Sequence, residues 1–187
     1  VTPVLSSELL DSINEIKTNF FQGDKLRHFG ISPFSKILFS GQSGCGKNLV
    51  AGYLAKEMKL KFFQTKPEAF LGDPKQIFEN LRTILEAASK TSNYLLYFED
   101  YSDSLNLYNN PKDWLVVLLQ EYNLHDGILI VEDSNVNYYN KFKDKVKYTN
   151  SIFDYHIVIQ GPDRETTEEI IKQKLLSFNT SCLLYTS

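Results

Sequence analysis

The sequence predicts an α/β fold in which helices cover both faces of a parallel sheet. Five apolar stretches that we predict as strands alternate along the chain with segments of helical periodicity, an order that is typical of parallel sheets. The predicted strands are residues 36–40, 61–64, 93–100, 128–133 and 155–160. The predicted helices are residues 5–21, 46–60, 73–90, 111–127 and 162–176.

Apolar periodicity and helix-start residues support the individual helices. The first helix carries apolar residues at helical spacing, namely Leu9, Leu10, Ile13, Ile16 and Phe20. We predict that residues 23–36 form a loop-like connector and that Leu49, Leu54 and Met58 share one face of the second helix. Asp73 and Pro74 are good cap and first-turn residues for helix 73–90.

Composition restricts the class of protein. The chain has 187 residues, 42% of them hydrophobic, which indicates one domain. Its net charge of -3 and the lack of a basic stripe argue against a nucleic-acid partner. It has two distant cysteines, no apolar run that approaches a membrane span, and no signal-peptide pattern at its start. We therefore expect a soluble protein of the cytoplasm with no membrane partner.

The predicted elements suggest three segments. Residues 1–25 are an N-terminal helix and linker, residues 26–161 are the main α/β domain, and residues 162–187 begin a further helix and a tail. Because the chain starts with Val rather than Met and ends without a helix stop signal, we interpret both ends as cuts in a longer protein.

A glycine-rich turn follows the first predicted strand and has the spacing of a phosphate-binding loop. Gly41, Gly46 and Lys47 fit the pattern G-x-x-x-x-G-K, and Gly44 is an additional glycine. Glycines let the backbone curl so that several N–H groups point at a phosphate, while the helix N-terminus and the lysine ammonium add positive charge. A structural glycine turn is the alternative. The residues that we predict to contact nucleotide are Gly41, Gln42, Ser43, Gly44, Cys45, Gly46, Lys47, Asn48 and Leu49.

Asn48 departs from this pattern, which has Ser or Thr after the lysine. The hydroxyl at that position normally binds Mg²⁺. An amide oxygen can also bind a hard cation, but on a longer side chain and in a different direction. We expect nucleotide binding to tolerate this change better than the geometry of the metal does.

Two acids end the predicted strand 93–100. Glu99 and Asp100 follow an apolar run and are placed to serve Mg²⁺ and to polarise an attacking water, if the strand lies near the phosphate loop. Two solvated acids at a strand end are the alternative interpretation, which the neighbouring phosphate loop makes less favourable.

Together these motifs resemble the large α/β subdomain of the AAA+ ATPases over roughly Leu26 to Phe178. The segment LLYFED resembles the Walker B strand with its Asp-Glu pair inverted, and ILIVEDSN resembles the sensor 1 strand and gives Asn135 the sensor position. The segment AFLGD resembles the first pore loop, here Phe70, Leu71 and Gly72. The lead-in HFGISPFSKILFSG and the segment from FDYHIVIQ onward resemble the family's adenine-side and lid-side boundaries.

The resemblance implies a P-loop NTPase fold with five parallel strands in the order 5-1-4-3-2, and it implies ATP and Mg²⁺ as cofactors. It assigns phosphate binding to Lys47, the metal to Asn48 and Glu99, water positioning to Asp100 and γ-phosphate sensing to Asn135. Core packing remains an alternative for Phe70, as does a turn role for Asn135. The family's arginine finger has no counterpart between Asn135 and Asp154, where the basic residues are Lys141, Lys143, Lys145 and Lys147.

Three functions follow from the resemblance. The first is an ATP hydrolase that assembles into a homo- or hetero-oligomeric ring and, in the manner of a chaperone, remodels or unfolds a protein substrate. The second is a structural subunit that holds ATP but hydrolyses it poorly, which Asn48, the inverted acid pair and the missing finger favour. A phosphoryl-transferring kinase or a DNA-loading relative is third, and no acceptor site or basic stripe supports it.

Overall fold

Five parallel strands form one sheet in the order β2-β3-β4-β1-β5. The computed structural model describes residue 3 and residues 5–65, 72–99, 127–134, 153–161 and 166–172. The strands are β1 (Lys36–Ser40), β2 (Lys61–Thr65), β3 (Tyr94–Phe98), β4 (Gly127–Asp133) and β5 (Tyr155–Val158). The predicted parallel sheet and its order, 5-1-4-3-2 in the opposite direction, are confirmed.

The helices within the described residues are α1 (Ser7–Phe21), α2 (Gly23–His28), α3 (Lys47–Glu57) and α4 (Pro74–Ser89), with residues 166–172 also helical. The predicted helix 111–127 lies outside the described residues except for Gly127, which begins β4. Within the part of the chain that the structure describes, no helix is long and apolar enough to cross a membrane.

The central strands are buried on both faces of the sheet. Every residue of β3 and β4 is buried, whereas the edge strands β2 and β5 have one buried residue each and are otherwise half-buried or exposed. This is the pattern of a parallel sheet whose faces are both covered, and it explains why β3 and β4 are continuous apolar runs in the sequence.

Each face of the sheet packs against its own helices. On one face, Ile13 and Ile16 of α1 and Val50, Ala51 and Leu54 of α3 join alternate residues of the strands in one core cluster. On the other face, Ile77, Leu81 and Leu85 of α4 pack against the remaining strand residues. We call these the α3 face and the α4 face.

Local residues explain where the helices begin. Ser6 caps α1 through a hydrogen bond from the Leu9 N–H, and Asp73 caps α4 by accepting the Gln76 N–H at 2.9 Å. The predicted cap at Asp73 is therefore confirmed. Helix α3 differs because its N-cap, Gly46, has no side chain to accept an N–H group.

Three local predictions were wrong. Residues 23–28 of the predicted connector form α2, where Asp24 lies in the first turn and accepts a hydrogen bond from Arg27. Leu10 and Leu49 are 39% and 63% exposed rather than packed. Because an α-helix turns by 100° per residue, Leu10 is 100° around α1 from Leu9, and Leu49 is 140° around α3 from Leu54. Neither side chain therefore lies on the packed face of its helix.

Candidate functional site

The phosphate loop, residues 41–46, connects the end of β1 to the start of α3. Its shape depends on glycine, because Gly41 and Gly46 have φ angles of 155° and 91°. A Cβ on Gly41 would also lie 2.1 Å from the backbone oxygen of Ile159, so this position accepts no side chain. The Gly41 N–H donates to Asp133 O at 3.1 Å, which joins the loop to the end of β4.

The N-terminus of α3 opens onto this loop without a side-chain cap. The first N–H groups of a helix have no partner within the helix, and they carry its positive partial charge. Gln42, Ser43 and Gly44 are exposed, so the loop in front of the helix is open to solvent. An uncapped helix end beside an exposed glycine loop is suited to binding a phosphate.

Lys47 lies beneath the loop and is 3% exposed. Its Nζ donates to the backbone oxygens of Gly41 and Gln42, each at 2.8 Å, and is 3.1 Å from Glu132 Oε1. The ammonium is also 3.8 Å from Cys45 Sγ. The lysine that the sequence assigns to phosphate is therefore held against the loop by two carbonyl groups and one carboxylate.

The Glu132 carboxylate is itself fixed by neighbouring hydroxyl groups. The Tyr97 hydroxyl donates a hydrogen bond to Glu132 Oε2, and Ser134 Oγ donates to Oε1 at 3.2 Å. Burial raises the pKa of the Tyr97 phenol far above its ordinary value, and the hydrogen bond to Glu132 raises this pKa further. Tyr97 therefore stays protonated and acts as a hydrogen-bond donor.

Strand alternation explains why these groups meet. Tyr97 belongs to the core cluster of the α3 face, and Glu132 has the same parity as Ile128 and Ile130 of that cluster. Because β4 pairs directly with β1, a side chain that ends β4 on this face lies beside the start of α3. Glu132 thereby reaches Lys47.

Glu99, the predicted metal ligand, follows the end of β3, on the far side of β4 from β1. Gln64 of the edge strand β2 donates a hydrogen bond from Nε2 to Glu99 Oε2 at 2.5 Å. The charge of Glu99 is a further cause of the raised Tyr97 pKa, after that of Glu132, so both acids act on the same hydroxyl. Glu99 thus lies at the carboxyl ends of the strands, as Glu132 does. Of these two acids, Glu132 is the one that contacts Lys47.

Asn48 is exposed in the first turn of α3. The amide oxygen of Asn48 and the carboxylate of Glu99 are of the kind that Mg²⁺ prefers, so the chemistry of these donors fits this metal. Within residues 5–65, 72–99 and the shorter described stretches, no three His, Cys, Asp or Glu side chains form a metal-binding group. A metal here would depend on phosphate oxygens and water as well.

Several predicted site residues lie outside the described residues: Asp100, Asn135, Phe70 and Leu71. Gly72 of the predicted pore loop is described, and its φ of 125° is one that glycine adopts readily. The roles of all five remain predictions.

A second polar pair, Ser40 at the end of β1 and His156 in β5, lies on the α4 face of the sheet. Ser40, the residue before Gly41, is 2% exposed, and its Oγ is 2.7 Å from His156 Nε2. Burial lowers the pKa of His156 below its ordinary value of 6.5, so the ring is neutral at pH 7.

The sequence interpretation missed Glu132 and Tyr97. A signal for Glu132 was present, because the expected strand order places β4 next to β1 and an acid at the end of β4 then lies beside the loop. No sequence pattern indicates Tyr97, which resembles any other aromatic residue in a buried strand.

Comparison with known proteins finds similarity to AAA ATPases. The sequence model of the family described as "ATPase family associated with various cellular activities (AAA)" matches residues 37–123, which include β1, the phosphate loop, α3 and β3. A curated relative from Sinorhizobium fredii, described as "Uncharacterized AAA family ATPase y4kL", is 31% identical over 102 residues. That alignment covers 52% of this chain and 30% of the relative, so the chain spans less than a third of the relative's length.

Proposed function

We propose that the chain is an ATPase domain of the AAA type, which its match to the AAA family model over residues 37–123 supports, and that it binds ATP with Mg²⁺ and hydrolyses it slowly. The observation that carries the proposal is the position of Lys47. It is buried beneath an exposed glycine loop at the uncapped start of α3, which combines an ammonium group, a helix dipole and accessible N–H groups.

Lys47 and the loop act on the phosphates of the nucleotide. The N–H groups of residues 42–47 surround the phosphate chain, and the ammonium of Lys47 reaches the β and γ phosphates. Gly41 lets the backbone of Ile159, the residue after β5, lie close to the loop, since a Cβ at this position would clash with Ile159 O. The loop and Lys47 therefore provide N–H donors and positive charge for the phosphates.

Asn48 and Glu99 are the residues that would hold Mg²⁺, and Asp100 and Asn135 complete the proposed site. When bound, Mg²⁺ neutralises the charge that develops on the phosphate oxygens during transfer. Asp100 orients and polarises the attacking water, and Asn135 contacts the γ-phosphate. Leu49, exposed in the first turn of α3, adds an apolar contact on the nucleotide side.

The order of the acids supports slow turnover. Relative to the Asp-Glu pair of the resemblance, Glu99-Asp100 withdraws the water-side carboxylate by about 1.5 Å, one bond length. A misplacement of ~1 Å can lower a rate by ~100-fold. Asn48, which replaces the hydroxyl ligand of Mg²⁺, is also expected to lower the rate of turnover.

The activity of the whole protein is a further part of this proposal. We propose that it assembles into a homo- or hetero-oligomeric ring in the cytoplasm, and that residues 70–72 contact a protein substrate that it remodels. The proposed domain is residues 26–161, preceded by the helical segment 1–25 and followed by the start of a lid in residues 162–187. A partner subunit that donates an arginine would raise turnover ~1,000-fold or more, the usual contribution of such a residue.

A second function, a subunit that binds ATP without hydrolysing it, is supported by one observation in particular. Asn48 stands in the described first turn of α3, where a metal-binding hydroxyl is usual, and it is exposed rather than committed to packing. Nucleotide binding needs Lys47 and the loop, whereas hydrolysis also needs the metal.

Steady-state ATP turnover separates the two functions. We expect slow turnover in the wild-type chain, lower turnover in Asp100→Asn with ATP binding retained, and higher turnover in the double variant Glu99→Asp, Asp100→Glu. Measurement over a range of protein concentrations reports whether assembly contributes. Turnover that Asp100→Asn leaves unchanged would contradict the hydrolase and favour the subunit that only binds.

A further inference from the structure

We propose that Glu132 is a positioning residue that competes with the nucleotide for Lys47 and thereby sets the affinity of the site for ATP. This inference rests on the proposed function, because it concerns the same phosphate loop. It assigns a role to a strand-end acid on β4 that is neither the predicted metal ligand nor the predicted water-positioning acid.

The donors of Lys47 are all engaged in the structure. An ammonium group has three N–H donors and no acceptor. Lys47 Nζ has three oxygen partners at hydrogen-bond distance: Gly41 O, Gln42 O and Glu132 Oε1. A phosphate oxygen can therefore bind Lys47 only if one of these three contacts is lost or shared.

Glu132 is the partner whose contact opposes phosphate most strongly. The two carbonyl groups are neutral, whereas Glu132 is a carboxylate whose side chain is only 11% exposed. An ion pair in such an environment is screened less than one at the surface. The negative charge of Glu132 also repels the negative charge of the incoming phosphate.

Glu132 is prevented from moving away when phosphate arrives. The Tyr97 hydroxyl donates to Oε2 and Ser134 Oγ donates to Oε1, so both carboxylate oxygens are held. The carboxylate stays beneath the loop, and its repulsion of phosphate persists in the bound state.

A divalent cation reduces this competition. Mg²⁺ bound to the nucleotide lowers the net negative charge of the phosphates, so repulsion by Glu132 weakens. The penalty from Glu132 is therefore largest for ATP without Mg²⁺, and the site favours the magnesium complex of the nucleotide over the free nucleotide.

Titration calorimetry of ATP into the 187-residue chain tests the inference, with Mg²⁺ and again with EDTA. Glu132→Gln keeps the shape of the side chain and an oxygen acceptor but removes the charge. We expect it to bind ATP about tenfold more tightly than wild type, with the larger gain in EDTA. A purely structural role for Glu132 predicts weaker binding, so the direction of the change identifies the competition.

Two variants complete the design. Glu132→Asp retains the charge and is expected to bind more weakly than Glu132→Gln. Glu57→Gln removes the same charge from the far end of α3, where Glu57 pairs with Lys17, and is expected to match wild type. If Glu132→Gln does not fold, Glu132→Ala removes the same charge and is expected to change the affinity in the same direction.

The outcomes separate the inference from the proposed function. If Glu132→Gln binds ATP no more tightly than wild type while Lys47→Ala does not bind, the inference is overturned and the proposed function stands. If neither wild type nor any Glu132 variant binds ATP, the proposed function fails and the inference fails with it. If Glu132→Gln binds while wild type binds too weakly to measure, the inference is supported.

Discussion

The two ends of β1 each meet a carboxylate from a neighbouring segment, and the two carboxylates have different partners. At the amino end, Asp154 Oδ2 accepts the backbone N–H groups of Ser35 and Lys36 at 2.8 and 2.9 Å, and the Ser35 hydroxyl at 3.1 Å. At the carboxyl end, Glu132 pairs with the ammonium of Lys47 at 3.1 Å.

The partners of Asp154 belong to the chain segment that it fixes, so its hydrogen bonds stay as long as the sheet is folded. The partner of Glu132 is the side chain of Lys47, which the proposed nucleotide binding also requires. A carboxylate that accepts hydrogen bonds from fixed backbone donors stabilises the fold, whereas we propose that one paired with the phosphate-loop lysine also regulates the site.

The largest effect is expected from Gly41→Ala, which acts at the carboxyl end of β1. The added Cβ would lie 2.1 Å from Ile159 O, and backbone hydrogen bonds tie both Gly41 and Ile159 to the sheet. We expect a loss of unfolding free energy above about 3 kcal/mol and loss of ATP binding. Chemical denaturation and calorimetry measure the two quantities.

Gly52→Ala is the matched control for that substitution. Gly52 lies in α3, and a Cβ there meets no atom within 4 Å. Alanine is the better helix former by about 1 kcal/mol, so this variant should be more stable than wild type. If both alanine variants changed stability by the same amount, the close approach of Gly41 to Ile159 would not explain the loop.

Asp154→Ala is expected to have an intermediate effect that is confined to stability. The variant loses three hydrogen bonds at an exposed site, which we expect to cost about 1–2 kcal/mol of unfolding free energy. ATP affinity per folded molecule should equal that of wild type. A change in affinity as large as that of Glu132→Gln would remove the distinction between the two ends of β1.

Much of the fold was predictable because its signals are local. The glycine loop, the buried strands β3 and β4, and the Asp73 cap each depend on residues that are close in sequence. Leu49 and Leu10 were misplaced since hydrophobic character alone does not give the angle of a residue around a helix. Helix α2 was missed because it is only six residues long, and its capping is weak.

The candidate site was only partly predictable. Lys47 and Gly41 follow from a sequence pattern whose geometry is fixed by the loop itself. The hydrogen bonds among Lys47, Glu132 and Tyr97 join residues that are 35 or more positions apart and depend on strand order, on parity and on side-chain rotamers. Strand order and parity could be inferred from the sequence, but the side-chain rotamers could not.

Asn48→Thr tests the metal side of the loop and should change activity rather than stability. Threonine restores a hydroxyl at the start of α3. Because a hydroxyl is the usual Mg²⁺ ligand at this position, we expect Mg²⁺-dependent turnover to rise severalfold. Thermal unfolding should shift little, because Asn48 is exposed. Turnover that stays the same or falls at saturating Mg²⁺ would contradict this account of the atypical loop.

The smallest effect is expected from pH, through His156 beside Ser40. Because burial lowers the His156 pKa in the folded state, the unfolded chain binds the proton first as pH falls below 6.5. Unfolding free energy should therefore be unaffected above pH 6.5 and should decline between pH 6.5 and the folded-state pKa. His156→Gln should reduce this decline, and substitution of the exposed His28 by Gln should leave it intact.

The most direct test of the nucleotide site compares ATP binding by Lys47→Ala with that by Lys56→Ala, using titration calorimetry in the presence of Mg²⁺. Lys56 is exposed in the last turn of α3, so its substitution removes the same charge from the same helix without touching the loop. We predict that Lys56→Ala binds ATP as wild type does and that Lys47→Ala binds severely more weakly or not at all. Equal affinity in the two variants would contradict the assignment of residues 41–47 as a phosphate-binding loop.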